Sequence, residues 1–180
     1  MKQPSVFKIV LTALFAALIC VATMLVQIPI AATGGYANLG DGVILLCAFL
    51  MNPLYAVIAG GLGSIMADLL AGYMVYAPGT LIIKAGVALI AAAIFNRFGR
   101  GRSAKSSFAA MIVGAVLAEA FMVLGYFFYE AMCLGMGAGA AGGIAGNIGQ
   151  GVVGAIIGCV LTPILTRSRE IREFMDKTRQ

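Results

Sequence analysis

Six apolar stretches, at roughly residues 6–28, 41–51, 53–72, 79–96, 108–129 and 147–166, take up most of this 180-residue chain. A helix crossing a bilayer needs about 20 apolar residues, with a range of roughly 17–25, and every stretch but the second meets that length. A chain built this way cannot fold as a soluble globule. Its residues are 62% hydrophobic and 11% charged, whereas soluble domains run at about 45–50% and about 25%. A water-soluble fold of this size buries only about 70% of the surface its unfolded chain exposes, too little to hide so much apolar area. The expected class is an all-α integral membrane protein, one membrane domain over 1–180 with six transmembrane helices.

Several functions are excluded by the same reading. Six spans leave no room for a nucleotide-hydrolysing domain, and the chain has no GxxxxGK[ST] loop to cradle phosphates. The net charge of +5 would suggest nucleic acid in a soluble protein. Here the basic residues lie between and after apolar runs, so they read as membrane topology and no nucleic-acid partner is expected. The four cysteines (Cys20, Cys47, Cys133, Cys159) sit in or beside apolar runs without a CxxC pair, and there is no His. Neither a Cys/His metal site nor a cofactor is expected. The first stretch follows Lys2 and Lys8 but outruns a signal-peptide core of about 7–15 residues and lacks a clear A-x-A site, so it reads as a retained helix.

Charge gives the direction of the spans. Eleven of the 12 basic residues fall in the N-terminus (Lys2, Lys8), the 97–105 loop (Arg97, Arg100, Arg102, Lys105) and the tail (Arg167, Arg169, Arg172, Lys177, Arg179). Positive-inside places both termini and that loop in the cytoplasm. An even number of spans must then separate the N-terminus from the loop, so residues 41–72 cannot be a single helix. Asn52-Pro53 supplies the break, with Asn as N-cap and Pro at the first helical position. The resulting second helix reaches only about 17 Å against a core of about 30 Å. It must borrow residues from 37–40, thin the bilayer, or be screened by its neighbours.

Small residues form stripes on three helices: Ala13, Ala16, Ala17 and Cys20; Gly60, Gly61, Ser64, Asp68 and Gly72; and Gly151, Gly154 and Gly158. Such stripes let helices approach closely in lipid, and for the last two the plainer reading is packing within the chain. The run GMGAGAAGGIAG at 135–146 is either a flexible extracellular loop or the unwound start of the last helix.

Charges within spans are costly and mark candidate sites. The topology places Asp68 about four residues, roughly 6 Å, below the outer end of its helix, and Lys84 at nearly the same depth on the next. Asn38 and Asp41 lie at the outer start of the second helix, Glu130 with Tyr126 at the outer end of the fifth, and Asn147 with Gln150 in the first turn of the sixth. Asp68 and Lys84 could simply pair while the others cap helices. The shared level across four or five helices points instead to a pocket near the outer face. With Tyr36, Tyr73, Tyr76 and Tyr126 nearby, that pocket suits a small, flat, polar aromatic ligand. Glu119, midway along the fifth helix, either lines the pocket floor or pairs with a backbone group.

Residues 35–92 carry a resemblance. NLGD at 38–41, Asp68 with GYMVYAP at 72–78, LIIKAG at 81–86, and NIGQGVVGAIIG at 147–158 resemble the motifs of the substrate-binding (S) components of energy-coupling factor (ECF) vitamin transporters, in the riboflavin, hydroxymethylpyrimidine or pyridoxine-like group. The resemblance implies six helices, an outward-facing vitamin site capped by the loops between helices 1–2, 3–4 and 5–6, and residence in a prokaryotic plasma membrane. It also implies an AxxxA face on helix 1, fitted by Ala13 and Ala17, that docks on a transmembrane coupling protein working with two ATPases. On this reading the chain is a transport subunit and not an enzyme. The chain departs from many relatives in having no Trp, so Tyr would have to stack on the ligand. A stand-alone secondary transporter or channel is the alternative; it needs a polar path across the membrane, and only Glu119 lies deep.

Overall fold

The computed structural model describes residues 6–173; Lys2, Lys177 and Arg179 lie outside the described residues. Six α-helices run in chain order: α1 (Val6–Leu25), α2 (Gly40–Leu50), α3 (Pro53–Ala71), α4 (Ala77–Ile94), α5 (Ala104–Phe128) and α6 (Ile144–Leu165). α4 and α5 each end in a wider π-type turn, at Phe95–Gly99 and Tyr129–Cys133. Five of the helices are long and apolar enough to cross a membrane, and α2 is the short one. Their outer faces carry exposed Leu14, Leu18, Leu62, Met66, Leu117 and Ile156. An apolar coat of that extent is stable against lipid and not against water, and the chain is a multi-pass membrane protein.

The break at Asn52-Pro53 forms as its residue types require. Asn52 Oδ1 accepts a hydrogen bond from the Leu54 amide at 3.1 Å, and Pro53 opens α3. The short α2 is screened by its neighbours: nine of its 11 residues are buried, because α1, α3, α4 and α6 surround it. Close approach on the α6 side depends on Gly158, where a Cβ would stand 2.6 Å from Cβ of Leu45. The glycine stripes of α3 and α6 therefore do pack inside the chain, Gly60 and Gly61 facing α4 and Gly151 and Gly154 facing Glu119 and Asp41.

One feature differs from the sequence reading, and one alternative left open there is decided in favour of the unwound start of the last helix. The first helix stops at Leu25, not 28, and a two-stranded antiparallel hairpin follows, β1 (Gln27–Ile30) and β2 (Gly35–Asn38), pairing Gln27 with Asn38 and Ile30 with Gly35. Pro29 cannot continue a helix, and Gly34, at φ +71°, closes the turn in a conformation other residues resist. The glycine-rich run is not an irregular loop. Gly137–Gly143 form a 3₁₀ helix that leads directly into α6, which starts at Ile144, three residues earlier than 147.

These additions gather at one end of the bundle. There the hairpin meets the 72–76 turn, with the Tyr36 and Tyr73 rings 4.5 Å apart, and the 3₁₀ segment, where Gly142 lies against Ala32 and Gly143 against Thr33; the Tyr129 hydroxyl of the π-type turn donates to the Val75 carbonyl at 2.7 Å. Arg97, Arg100 and Arg102 lie between the end of α4 and the start of α5, Lys105 lies in the first turn of α5, and Arg167, Arg169 and Arg172 follow the last turn of α6. The polar-loop end and the basic end are thus opposite ends of the same helices.

Candidate functional site

Beneath the hairpin, α1, α3, α4, α5 and α6 enclose a small polar cavity. At its base is a salt bridge between Lys84 of α4 and Asp41 of α2. Lys84 Nζ donates to both carboxylate oxygens, at 2.7 and 2.8 Å, and the two residues are 2% and 0% exposed. Gln150 of α6 donates from Nε2 to Asp41 Oδ2 at 2.6 Å, and its Oε1 accepts from the Asn38 backbone amide at 2.8 Å. Asn38 Oδ1 in turn accepts from the Gly40 amide at 2.9 Å, at the start of α2. One chain of bonds therefore ties α4, α2, α6 and the hairpin together. The ammonium also lies 5.4 Å from the centre of the Tyr126 ring, within cation–π range.

Asp68 of α3 is not the partner of Lys84. Its Oδ1 accepts from the Tyr36 hydroxyl at 2.7 Å, a second tie between hairpin and bundle. A third comes from Tyr76, whose hydroxyl donates to the Thr33 carbonyl at 2.7 Å, with Glu130 Oε1 at 3.3 Å from the same oxygen. Burial, with the Glu130 carboxylate adding to it, holds the Tyr76 phenol up at about 12 against the opposing bond to Thr33. Burial and then Asp68 push the Tyr36 phenol up as well. Both phenols are thus fixed as neutral donors. Thr80 and Tyr126 share a hydroxyl–hydroxyl bond of 3.0 Å deeper in.

Four lining residues keep polar atoms unengaged. Ser64 Oγ, Asp68 Oδ2 and Glu130 Oε2 are buried without a hydrogen-bonding partner. Asn147, 5% exposed, also lines the cavity, and its side-chain amide bonds to none of the described residues. The open space amounts to about 20 Å³, room for about one water. A planar ring could enter only if the hairpin or the 72–76 turn moved away.

Of the residues singled out in the sequence, Asn38, Asp68, Tyr76, Lys84, Tyr126, Glu130 and Asn147 line this cavity, and Asp41 and Gln150 brace it. Tyr36 also lines it. Two do not. Tyr73 backs Tyr36 from outside, ring to ring. Glu119 lies on the far side of Asp41, against Gly151 and Gly154, with both oxygens unpartnered. It borders a lateral, mostly apolar groove of about 220 Å³ between α5 and α6, so it is not the pocket floor, and it pairs with no backbone group. The sequence reading missed Thr23, Ser64 and Thr80 as lining residues. Helical spacing could have found two of them: Ser64 is one turn before Asp68, and Thr80 one turn before Lys84. Ala13 and Ala17 are exposed on the outer face of α1, whereas Phe15 and Ile19 face inward.

Comparison with known proteins agrees with this architecture. A solved structure described as "Structure and mechanism of the S component of a bacterial ECF transporter" superimposes with a TM-score of 0.69, covering 89% of this chain and 96% of that one at 22% identity. That likeness concerns the fold. A protein of Pyrococcus woesei described as "Uncharacterized protein in gap 3'region" is 40% identical over 123 residues, which cover 68% of this chain and 78% of that protein. The profile of the family described as "ECF-type riboflavin transporter, S component" matches residues 3–167. With nearly its whole length matched, the chain belongs to that family of transporter S components.

Proposed function

We propose that this chain is the high-affinity substrate-binding subunit of an ATP-driven importer in a prokaryotic plasma membrane, and that its ligand is a water-soluble vitamin or vitamin precursor with a flat heteroaromatic ring. Riboflavin and the hydroxymethylpyrimidine or pyridoxine-like compounds are the candidates. The observation that carries this reading is the set of buried, unpartnered polar atoms on Ser64, Asp68 and Glu130 around one cavity that Asn147 also lines and that Tyr36, Tyr76 and Tyr126 edge. A buried polar atom without a partner costs stability, of the order of 1–3 kcal/mol. A ligand that brings N–H and O–H donors to the two carboxylates would remove that cost. The tyrosine faces supply the stacking surface that Trp provides in many relatives.

Both termini are cytoplasmic in this proposal, so the cavity opens to the outside. Ala13 and Ala17 form the ridge on which the coupling protein docks, and two ATPases on that partner supply the energy. The test is equilibrium binding of riboflavin, pyridoxine and hydroxymethylpyrimidine to the protein in mild detergent, alone and as Asp68→Asn and Asn147→Ala. One compound should bind with sub-micromolar affinity, and both substitutions should weaken it at least tenfold. Failure of all three to bind folded protein, or unchanged affinity in both variants, would refute the assignment.

A further inference from the structure

At the basic end of the bundle a separate cavity of about 500 Å³ opens between the first turns of α5 and the last turn of α6. Its apolar lining is made by Phe108, Met111 and Pro163, to which Ala104 adds only a methyl group. Its rim carries Arg167 and Arg172. The rim's other polar side chains have no proton to offer an anion: the Ser107 hydroxyl donates to the Gly99 carbonyl at 2.6 Å, and the Thr166 hydroxyl to the Thr162 carbonyl at 2.8 Å. The two guanidinium groups are therefore the available donors.

They are also largely unengaged. Arg172 gives one bond, from Nη2 to the Arg167 carbonyl at 3.0 Å, which holds it over the end of α6. The Arg167 guanidinium makes no hydrogen bond or ion pair with any described residue. Among the described residues the nearby acids are engaged elsewhere, Glu173 with Arg169 at 2.8 Å and Glu170 with the Ser168 hydroxyl at 3.0 Å. The bond to the Arg167 carbonyl accounts for one of the five donors of Arg172, and none of those on Arg167 is used among the described residues.

We propose that this cavity is a binding site for one anionic phospholipid. The phosphodiester is held in the fork of Arg167 and Arg172, and the start of an acyl chain lies on Phe108 and Met111. The planar guanidinium matches phosphate oxygens in pairs. A basic rim beside an apolar lining at a helix end is the arrangement that selects a lipid headgroup over a free anion. This inference stands apart from the vitamin site, which lies at the other end of the bundle.

The experiment measures thermal unfolding of the full chain in detergent with added phosphatidylglycerol, phosphatidylcholine or inorganic phosphate. The variants are Arg167→Gln, whose guanidinium makes no bond that folding would lose, and Ala104→Phe, which fills part of the cavity. A control replaces Arg100 and Arg102 by Gln, removing basic charge outside the cavity. Phosphatidylglycerol at about a hundredfold its dissociation constant should raise the midpoint by about 5 °C or more. Phosphatidylcholine and phosphate should not. Arg167→Gln and Ala104→Phe should each lose most of the rise, and the control should keep it. An equal rise with inorganic phosphate would overturn the proposal in favour of a free anion. Equal loss in the control would reduce the effect to general surface charge, and a full rise in Arg167→Gln would place the lipid elsewhere.

Discussion

Replacing Lys84 by Met tests the central claim about the base of the site. The ammonium makes two bonds of 2.7 and 2.8 Å to Asp41, and neither residue reaches solvent. Without it, Asp41 keeps only Gln150 as a side-chain donor and is left as a buried carboxylate with no counter-charge. Breaking such a pair from one side costs about 3–5 kcal/mol. For a chain of this size each kcal/mol moves the unfolding midpoint by about 2–4 °C, so the loss should fall at about 6–20 °C. The second variant is the double replacement Lys84→Met with Asp41→Leu, which removes both charges. It leaves the Gln150 amide without its acceptor, a cost of about 1–3 kcal/mol, so it should recover part of what the single change loses. The buried thiols of Cys47 and Cys159 report unfolding through a thiol-reactive dye once the more accessible Cys20 and Cys133 are replaced by Ser. A midpoint for Lys84→Met within about 2 °C of the parent, less than 1 kcal/mol, would refute the reasoning. So would a double variant less stable than the single one.

Ser64→Ala removes a buried hydroxyl that bonds to nothing, so the unfolding midpoint should hold or rise while ligand affinity falls about fivefold, the value of one neutral hydrogen bond; a lower midpoint with unchanged affinity would contradict it. Tyr36→Phe removes the bond from the hairpin to Asp68, worth about 1.5 kcal/mol as a bond to a carboxylate, and stopped-flow measurement should show ligand release about tenfold faster. Ala13→Trp or Ala17→Trp places a ring on an exposed face of α1, so isolated protein should bind ligand normally while cellular uptake is lost; lost binding would mean that the face packs inside the bundle. A cysteine replacing Ala138 should label with an impermeant reagent in intact cells and one replacing Ser103 should not, and the reverse pattern would invert the orientation.

Position along the helices was legible in the sequence, and angle around the bundle was not. Counting residues from the helix ends put Asp68, Lys84, Glu130, Asn147 and Gln150 at one level, and all five lie at the one site. The same counting could not say which neighbours face one another. Lys84 turns to Asp41 because α2 is drawn into the middle of the bundle, whereas Asp68 faces Tyr36. Glu119 shows the same gap: it lies within α5, as counted, yet it faces the seam between α5 and α6. The hairpin was missed for another reason. Each of its strands has four residues, too few for an alternating pattern to stand out, and its Pro, Gly and Ala content reads as a loop. The break at Asn52-Pro53 was found because parity of the charged loops and cap chemistry gave the same answer independently.

The polar groups near the hairpin end divide by how they are satisfied, and the division has a consequence for the way the site is built. Asp41, Lys84, Gln150 and Asn38 satisfy one another. They span four elements and form the base of the cavity. Ser64, Asp68 and Glu130 keep buried atoms without partners and, with Asn147, face the cavity from α3, the turn after α5, and α6. The hairpin bridges the two groups: Asn38 belongs to the first, while Tyr36 binds Asp68 in the second. Moving the hairpin breaks the Tyr36–Asp68 and Tyr76–Thr33 bonds and the two bonds from Asn38 to Gln150, and leaves the two-bond ion pair between Lys84 and Asp41 in place. The weakest links therefore lie over the cavity and the strongest lie beneath it, which lets the mouth open without loosening the helices that hold the unengaged groups in position.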